Sequence, residues 1–424
     1  MIISSTPAAG TNAARRTTVL LSMAVLAASL AACGGGGGDP AGSGTFPTGA
    51  SVNAQAAPPV SSAAFTAETA TAVHPAQPGP QRLLAIGATR AGHAVAWLSQ
   101  DGPGNASVQL RRFDTQGQPQ GSDIALGVDT TDGDPAAAVL GDGSLVVASA
   151  TANPLSVDQP WITRSAIRVQ RFDPAGDATA DIDVGAVQQD RIGATTMRYV
   201  ADPAVIRWDH GGFLVGWALV EENANGRSPQ FWEQRFDAAG QPLGAPSMAA
   251  QGEVDGAFRL TASPNGGWLL TTFHRVMGRG FMRHHPFEGA SAPALPSGAM
   301  GFAEGSLLLP LQNGGSVLLQ PAQVYGSWQL YGVDGQAQGN GASLPTVPRA
   351  AAALRDGGFI VFTGSETQLE GRRFDANGRP LGGAFAVDAA ANLQAASLAD
   401  GSVLLGWTAD RGTGDTDVMA QRLR

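Results

Sequence analysis

The strongest constraint on this chain is a phrase that it repeats. "LRRFDTQGQPQGSDIALG", "VQRFDPAGDATADIDVG", "WEQRFDAAGQPLGAPSMAA" and "EGRRFDANGRPLGGAFAVD" each set Phe before D-x-x-G, at Asp114–Gly117, Asp173–Gly176, Asp237–Gly240 and Asp375–Gly378. Asp at the first place of a type I turn bonds its own backbone two residues on, and Gly at the fourth takes the left-handed bulge position. Pro174 fills a second place, where its fixed φ fits. Another turn signal, a Gly pair or Asp/Asn-Gly, comes before an apolar run: "RAGHAVAW", "GDGSLVVAS", "DHGGFLVGW", "PNGGWLLTT", "QNGGSVLLQ", "RDGGFIVFT" and "ADGSVLLGW". Asn-Gly and Asp-Gly supply the positive φ angles of tight hairpin turns. Degenerate copies of the D-x-x-G turn stand at "PFEGA" and "YGVDGQ".

Each unit therefore reads as four short strands in two hairpins. Seven copies are countable from Ala91, Gly143, Gly211, Gly266, Gly314, Gly357 and Gly401, which lie 52, 68, 55, 48, 43 and 44 residues apart. Four strands in about 45 residues predict an all-β chain, a seven-bladed β-propeller of four-stranded antiparallel blades over residues 61–424. A solenoid or a pair of β-sandwiches are the competing folds. The last copy stops where its third strand ends, and "AAFTAETATAV" ahead of the first copy resembles the fourth-strand segment "GAFAVDAAANL". An N-terminal strand is thus expected to complete the last blade and cover an open edge. On this reading Phe113, Phe172, Phe236 and Phe374 pack between blades and the arginines before them are solvated. Trp97, Trp217 and Trp407, which recur at one place in the second strand, belong to the core.

The N-terminus is of another kind. Arg15 and Arg16 precede an apolar run too short to span a bilayer, and small residues lead into Cys33, the single cysteine. "LAAC" (Leu30 to Cys33) resembles the lipobox of bacterial lipoproteins. The resemblance implies that residues 1–32 are a signal peptide, that Cys33 is lipidated, and that Gly34 behind it directs the protein to the outer membrane. Several acyl chains give stable anchoring where one is marginal. Residues 33–60 are Gly-, Ala- and Pro-rich with almost no charge, a flexible tether. A lipidated Cys33 leaves no thiol for a disulfide within the chain.

Composition excludes more than it selects. Loss of the leader removes two arginines and no acids, so the net charge of −9 becomes −11 (−9 − 2). Such an acidic chain is unsuited to nucleic acid, whose binding rests on positive charge. The chain has no lysine, which excludes lysine-based covalent chemistry. It has no G-x-S-x-G elbow, no H-E-x-x-H and no S-x-D-x-G-x-T-W box. His274, His284 and His285 lack zinc-ligand spacing. The acidic groups Asp129, Asp132 and Asp134, and Asp410, Asp415 and Asp417, lack the oxygen-ligand spacing of a calcium loop. No cofactor is called for.

"RVQRFDPAG" and "RRFDANGRPLGG" are similar to the strand-turn-strand units of bacterial extracellular propeller repeats and, more loosely, to NHL repeats. The resemblance covers residues 60–424; it implies the fold and brings no catalytic motif. In a four-stranded blade the stereotyped turns share one face, and the two-three and four-one connections share the other. The longest connections fall around blades two and three and carry Trp161, Arg164, Asp190, Arg191, Arg198, Tyr199, Glu221, Glu222 and Arg227. An aromatic among mixed charges suits a protein or glycan partner. The expectation is a lipid-anchored binding or scaffolding module of the cell envelope. The alternatives are a saccharide-active hydrolase or lyase with carboxylates meeting at the channel mouth, and a purely structural envelope subunit.

Overall fold

A computed structural model describes residues 65–75, 77–100, 106–128, 134–156, 159–190, 196–207, 212–224, 226–251, 258–262, 268–274, 279–285, 305–322, 325–332, 336–365, 368–388, 391–412 and 414–424. The leader, Cys33 and the tether lie outside them, as do Asp129, Asp132 and Arg191. Every described element is a strand. The first, β1 (Thr71–Ala72), pairs with nothing near it in sequence.

Seven separate antiparallel sheets follow, with strands adjacent in chain order. Sheet 1 holds β2 (Gln81–Thr89), β3 (Gly92–Gln100), β4 (Ala106–Asp114) and β5 (Ile124–Leu126). Sheet 2 holds β6 (Ala136–Val139), β7 (Leu145–Ser156), β8 (Gln159–Phe172) and β9 (Ala178–Asp190). Sheet 3 holds β10 (Thr196–Arg207), β11 (Phe213–Asn223), β12 (Gly226–Phe236) and β13 (Ser247–Gln251). Sheet 4 has three described strands, β14 (Phe258–Ala262), β15 (Trp268–His274) and β16 (Arg279–His285). Sheet 5 holds β17 (Leu307–Pro310), β18 (Ser316–Pro321), β19 (Gly326–Tyr331) and β20 (Ala337–Leu344). Sheet 6 holds β21 (Pro348–Ala353), β22 (Phe359–Gly364), β23 (Leu369–Phe374) and β24 (Pro380–Val387). Sheet 7 holds β25 (Ala391–Ser397), β26 (Val403–Gly412) and β27 (Asp415–Leu423), and β1 occupies its fourth place against β27. Thr71 pairs with Ala420 and Ala72 with Met419, and the pairing is prolonged by a bridge between Ala67 and Leu423.

The D-x-x-G turns form as their chemistry requires. Asp114 Oδ1 accepts from the amides of Gln116 and Gln118, at 2.9 and 2.8 Å. Asp173, Asp237 and Asp375 do the same two and four residues on. Gly117, Gly176, Gly240 and Gly378 close these turns at φ of 84°, 96°, 87° and 77°. The one-two turns differ from expectation in one respect. Their Gly is left-handed, as at Gly143 (φ 91°) and Gly357 (φ 87°), but the Asp or Asn before it is not among the positive-φ residues. That residue instead uses Oδ1 to accept an amide two residues on: Ser144 for Asp142, Gly315 for Asn313, Gly358 for Asp356 and Ser402 for Asp400. A type I turn with a glycine bulge needs one left-handed residue rather than two.

The other oxygen of these acids corrects a second expectation. The arginine before the aromatic is buried in two sheets, Arg171 and Arg373 each being 8% exposed, and Arg422, before Leu423 at the same place in sheet 7, is 6% exposed. Arg171 Nη2 donates to Asp142 Oδ2 and to Ser144 Oγ, both at 2.9 Å. Arg373 pairs with Asp356, and Arg422 with Asp400. Each arginine ties the third strand to the one-two turn of its own sheet through a charge-assisted bond to that turn's carboxylate.

The core lies between sheets. Second strands are buried on both faces, as in β3, β11, β18, β22 and β26, which explains their unbroken apolar runs. Seven clusters each join two sheets. Leu84, Leu110 and Leu126 meet Val139 and Phe172 between sheets 1 and 2. Ile167 and Val169 meet Trp217 and Phe236 between 2 and 3. Val220 and Phe231 meet Leu260 and Trp268 between 3 and 4. Leu269 meets Leu308 and Leu318 between 4 and 5, and Trp328 meets Phe359 and Phe374 between 5 and 6. Ile360 and Phe362 meet Leu405 and Trp407 between 6 and 7. Leu404 and Val418 of sheet 7 meet Val95, Trp97 and Phe113 of sheet 1. Phe113, Phe172, Phe236, Phe374, Trp97, Trp217 and Trp407 are all buried, as expected.

Candidate functional site

Sheets 2 and 3 are built longer than the rest. β7, β8 and β9 have 12, 14 and 13 residues, and β10, β11 and β12 have 12, 11 and 11, against 4 to 8 for the strands of sheets 5 and 6. The excess lies at the end away from the D-x-x-G turns. The stretches expected to be loops are therefore mostly strand, and their side chains alternate between faces.

Alternation sorts the site residues of sheet 3. Met197 pairs with Glu222 and Glu222 with Arg227, whereas Arg198 pairs with Glu221 and Glu221 with Ser228. Glu221 and Glu222 thus face opposite ways, as adjacent strand residues must. On one face Tyr199 donates its hydroxyl to Glu222 Oε2 at 3.0 Å, and the Arg227 guanidinium lies 5.8 Å from the Tyr199 ring centre. Half-burial first, and the Glu222 bond next, raise the Tyr199 phenol above its ordinary range. Met197, 41% exposed, shares this face. On the other face Arg198 Nε meets Glu221 Oε1 at 2.9 Å, with both side chains substantially exposed. Tyr199 packs beside the cluster shared with sheet 4, while Leu219, of the same face as Glu221, belongs to the cluster shared with sheet 2.

Five of the nine expected residues lie at the tip of sheet 3 but on two faces, with Tyr199, Glu222 and Arg227 together on one and Arg198 with Glu221 on the other. Arg164 is not among them. It is exposed and pairs with Asp183 on β9. Its neighbour Ser165 is the residue whose hydroxyl bonds the Val200 amide of sheet 3, at 3.2 Å. The strand period turns Arg164 to the opposite face. There Arg168 grips Asp181 with two bonds of 2.8 and 2.6 Å, and this hydrogen bonding holds the Asp181 carboxyl below its usual range. Arg168, Asp181 and Asp183 were not singled out from sequence. Their signal was the alternation in "DIDVG" and the four-residue step from Arg164 to Arg168. Trp161 lies in β8 and Asp190 in β9, but their side chains, like Arg191, fall outside the described residues.

The other candidates disperse. His274, His284 and His285 lie in β15 and β16, with side chains outside the described residues. Asp134 pairs with Arg82 at 2.9 Å. Asp410 accepts from the Gly412 amide, Asp415 from the Gly79 amide, and the buried Asp417 pairs with Arg411. Among the described residues no group of three or more His, Cys, Asp or Glu side chains is placed to hold a metal ion.

No protein-family model matches the chain, and no curated protein does. Solved structures similar to it include the propeller of Dos1, at 9% identity over 85% of this chain and 94% of that one, with a TM-score of 0.41. The β-propeller domain of the Trilobed protease from Pyrococcus furiosus is 8% identical over 80% and 93%, with a TM-score of 0.43. A prolyl endopeptidase is 12% identical over 77% and 46%, with a TM-score of 0.45, so the chain spans about half the length of that enzyme.

Proposed function

We propose that the chain is a lipid-anchored, seven-bladed propeller of the outer membrane that binds or scaffolds a protein or glycan partner. Closure is supported by the cluster sequence: each sheet shares a core with the next, and sheet 7 shares one with sheet 1. The lipobox-like "LAAC" supports the anchor, and the tether behind it would hold the folded part clear of the bilayer.

The observation that carries the binding reading is the prolongation of sheets 2 and 3. Strands that outgrow their blades carry the exposed Met197, Glu222 and Arg227 past the core on which Tyr199 rests, so burial within the fold does not account for those three. At the tip of sheet 3 they hold Tyr199 between Met197, Glu222 and Arg227. A half-buried ring with a positioned carboxylate and guanidinium offers a flat apolar contact with charge-assisted bonds around it.

The test compares three variants of the full chain. Tyr199→Ala should weaken capture of envelope proteins or arrayed glycans about tenfold or more, a truncation cost of about 2 kcal/mol. Asp114→Ala, on the opposite face, should leave capture intact. Cys33→Ser should move the protein from membrane to soluble fractions. Equal capture by wild type and Tyr199→Ala refutes the site, and a soluble wild type refutes the anchor.

A further inference from the structure

We propose that Glu233 and Trp268 form a proton-dependent latch between sheets 3 and 4. Glu233 lies three residues before Phe236, opposite Gly216 on β11 and Ser247 on β13. The same place in other third strands is held by Leu110, Val169 and Gly371, three residues before Phe113, Phe172 and Phe374. Tyr331 and Leu423 stand where those phenylalanines do, opposite Ser316 and Val403, and three residues before them come Trp328 and Ala420. All five equivalents are apolar or glycine, and all are buried. Among the described side chains at this place only that of sheet 3 is a carboxyl, and it too is buried, at 6% exposure.

Its partner Trp268 begins β15, at the place held by His93, Leu145, Phe213, Ser316, Phe359 and Val403 in the other sheets. Its indole Nε1 donates to Glu233 Oε2 at 2.7 Å, across the boundary between sheets, and Ser247 Oγ donates to Oε1 at 3.4 Å. Both donors are neutral. Of the charges nearby, Arg235 lies on β12 itself and is a minor influence. β13 carries none. β11 brings Glu221 and Glu222, already engaged at the far tip. β10 brings Arg198, Asp202 and Arg207, and β14 brings Arg259. His274 on β15 and Arg279, Arg283, His284 and His285 on β16 have side chains outside the described residues.

A protonated carboxyl can keep the indole bond and be buried at little cost, whereas a carboxylate must shed its water. Burial accordingly lifts the Glu233 pKa to about 7. Because the folded value lies above the unfolded one, the stabilisation is fully present below about 4.5 and is lost as pH rises through about 7. The interface between sheets 3 and 4 is tight in acid and loosens in mild alkali.

The experiment is thermal unfolding of the full chain at pH 5.5, 7.0 and 8.5, with amide exchange corrected for its intrinsic pH dependence. Wild type should melt lower at each step upward, with exchange rising in segments 226–236 and 268–274. Glu233→Gln should lose that trend in both readouts. An unchanged slope in Glu233→Gln, or exchange that rises elsewhere and not in these segments, overturns the latch. Trp268→Phe provides a second readout if Glu233→Gln does not fold. Loss of the indole donor should move the wild-type transition to higher pH, and an unmoved transition counts against the proposal.

Discussion

Arg373 and Asp356 show how a single pair can explain a repeated word. The guanidinium is buried, and the acid offers one oxygen to the turn and the other to the arginine. Sheet 5 has neither charge: Asn313 stands in place of the acid and Leu330 in place of the arginine. Removing one member of a buried pair leaves the other uncompensated, so Arg373→Leu should cost about 3 kcal/mol. The double variant Arg373→Leu with Asp356→Asn, which copies sheet 5, should recover most of it in a denaturant double-mutant cycle. His93 makes a related case. It stacks on Phe113 at 4.8 Å, where sheets 3 and 6 stack Phe213 on Phe236 and Phe359 on Phe374. Burial above all, and then Arg422, lower its pKa to about 4. A depressed value means stability present above about 6.5 and lost as pH falls toward about 4. His93→Phe should keep the stack and abolish that acid-side loss in melting curves. The aspartates and glycines of the turns were legible in sequence because their roles are local. The buried arginines were not, because an arginine beside a phenylalanine on a strand gives no sign of which end of the sheet its guanidinium reaches.

At the scale of elements, hairpin chemistry was the readable part. The strand count followed from turn signals, and so did the face on which stereotyped turns gather. Asp114→Ala removes the carboxylate oxygen that accepts from two amides of an exposed turn and should cost about 1 kcal/mol in chemical denaturation, with the sheet otherwise kept. The prolonged strands of sheets 2 and 3 were harder to foresee. "ATANPLSVDQPWITR" carries two prolines and polar residues that read as loop, yet most of it is strand in β7 and β8. Cross-strand pairing can outvote weak local preference when both partners are already aligned by a sheet below. The consequence for the site is direct: a strand period separates Arg164 from Tyr199, where a loop could have joined them.

At the scale of the whole molecule, the proposed ring of seven sheets is fastened by its N-terminal strand. β1 is only two residues long, but it sits where β27 would otherwise leave a free edge. The pairing of β1 with β27 was legible because "AAFTAETATAV" resembles the fourth-strand segment "GAFAVDAAANL". Beyond the phenylalanines of the turns, packing between sheets was not legible: a run such as "FIVFTG" is apolar on both faces and gives no order of neighbours. Ala72 and Met419 face each other across this junction. Their neighbours Val73 and Val418 share a backbone hydrogen bond of 2.9 Å, which makes Ala72 and Met419 a close, non-hydrogen-bonded pair suited to a disulfide. The decisive measurement is oxidation of a variant carrying Ala72→Cys and Met419→Cys together with Cys33→Ser. A fastened ring should give a link within one chain, identified by mass spectrometry of the joined peptides, and a higher melting temperature. Failure to link, or links only between chains, would show that the N-terminal strand does not fasten the ring.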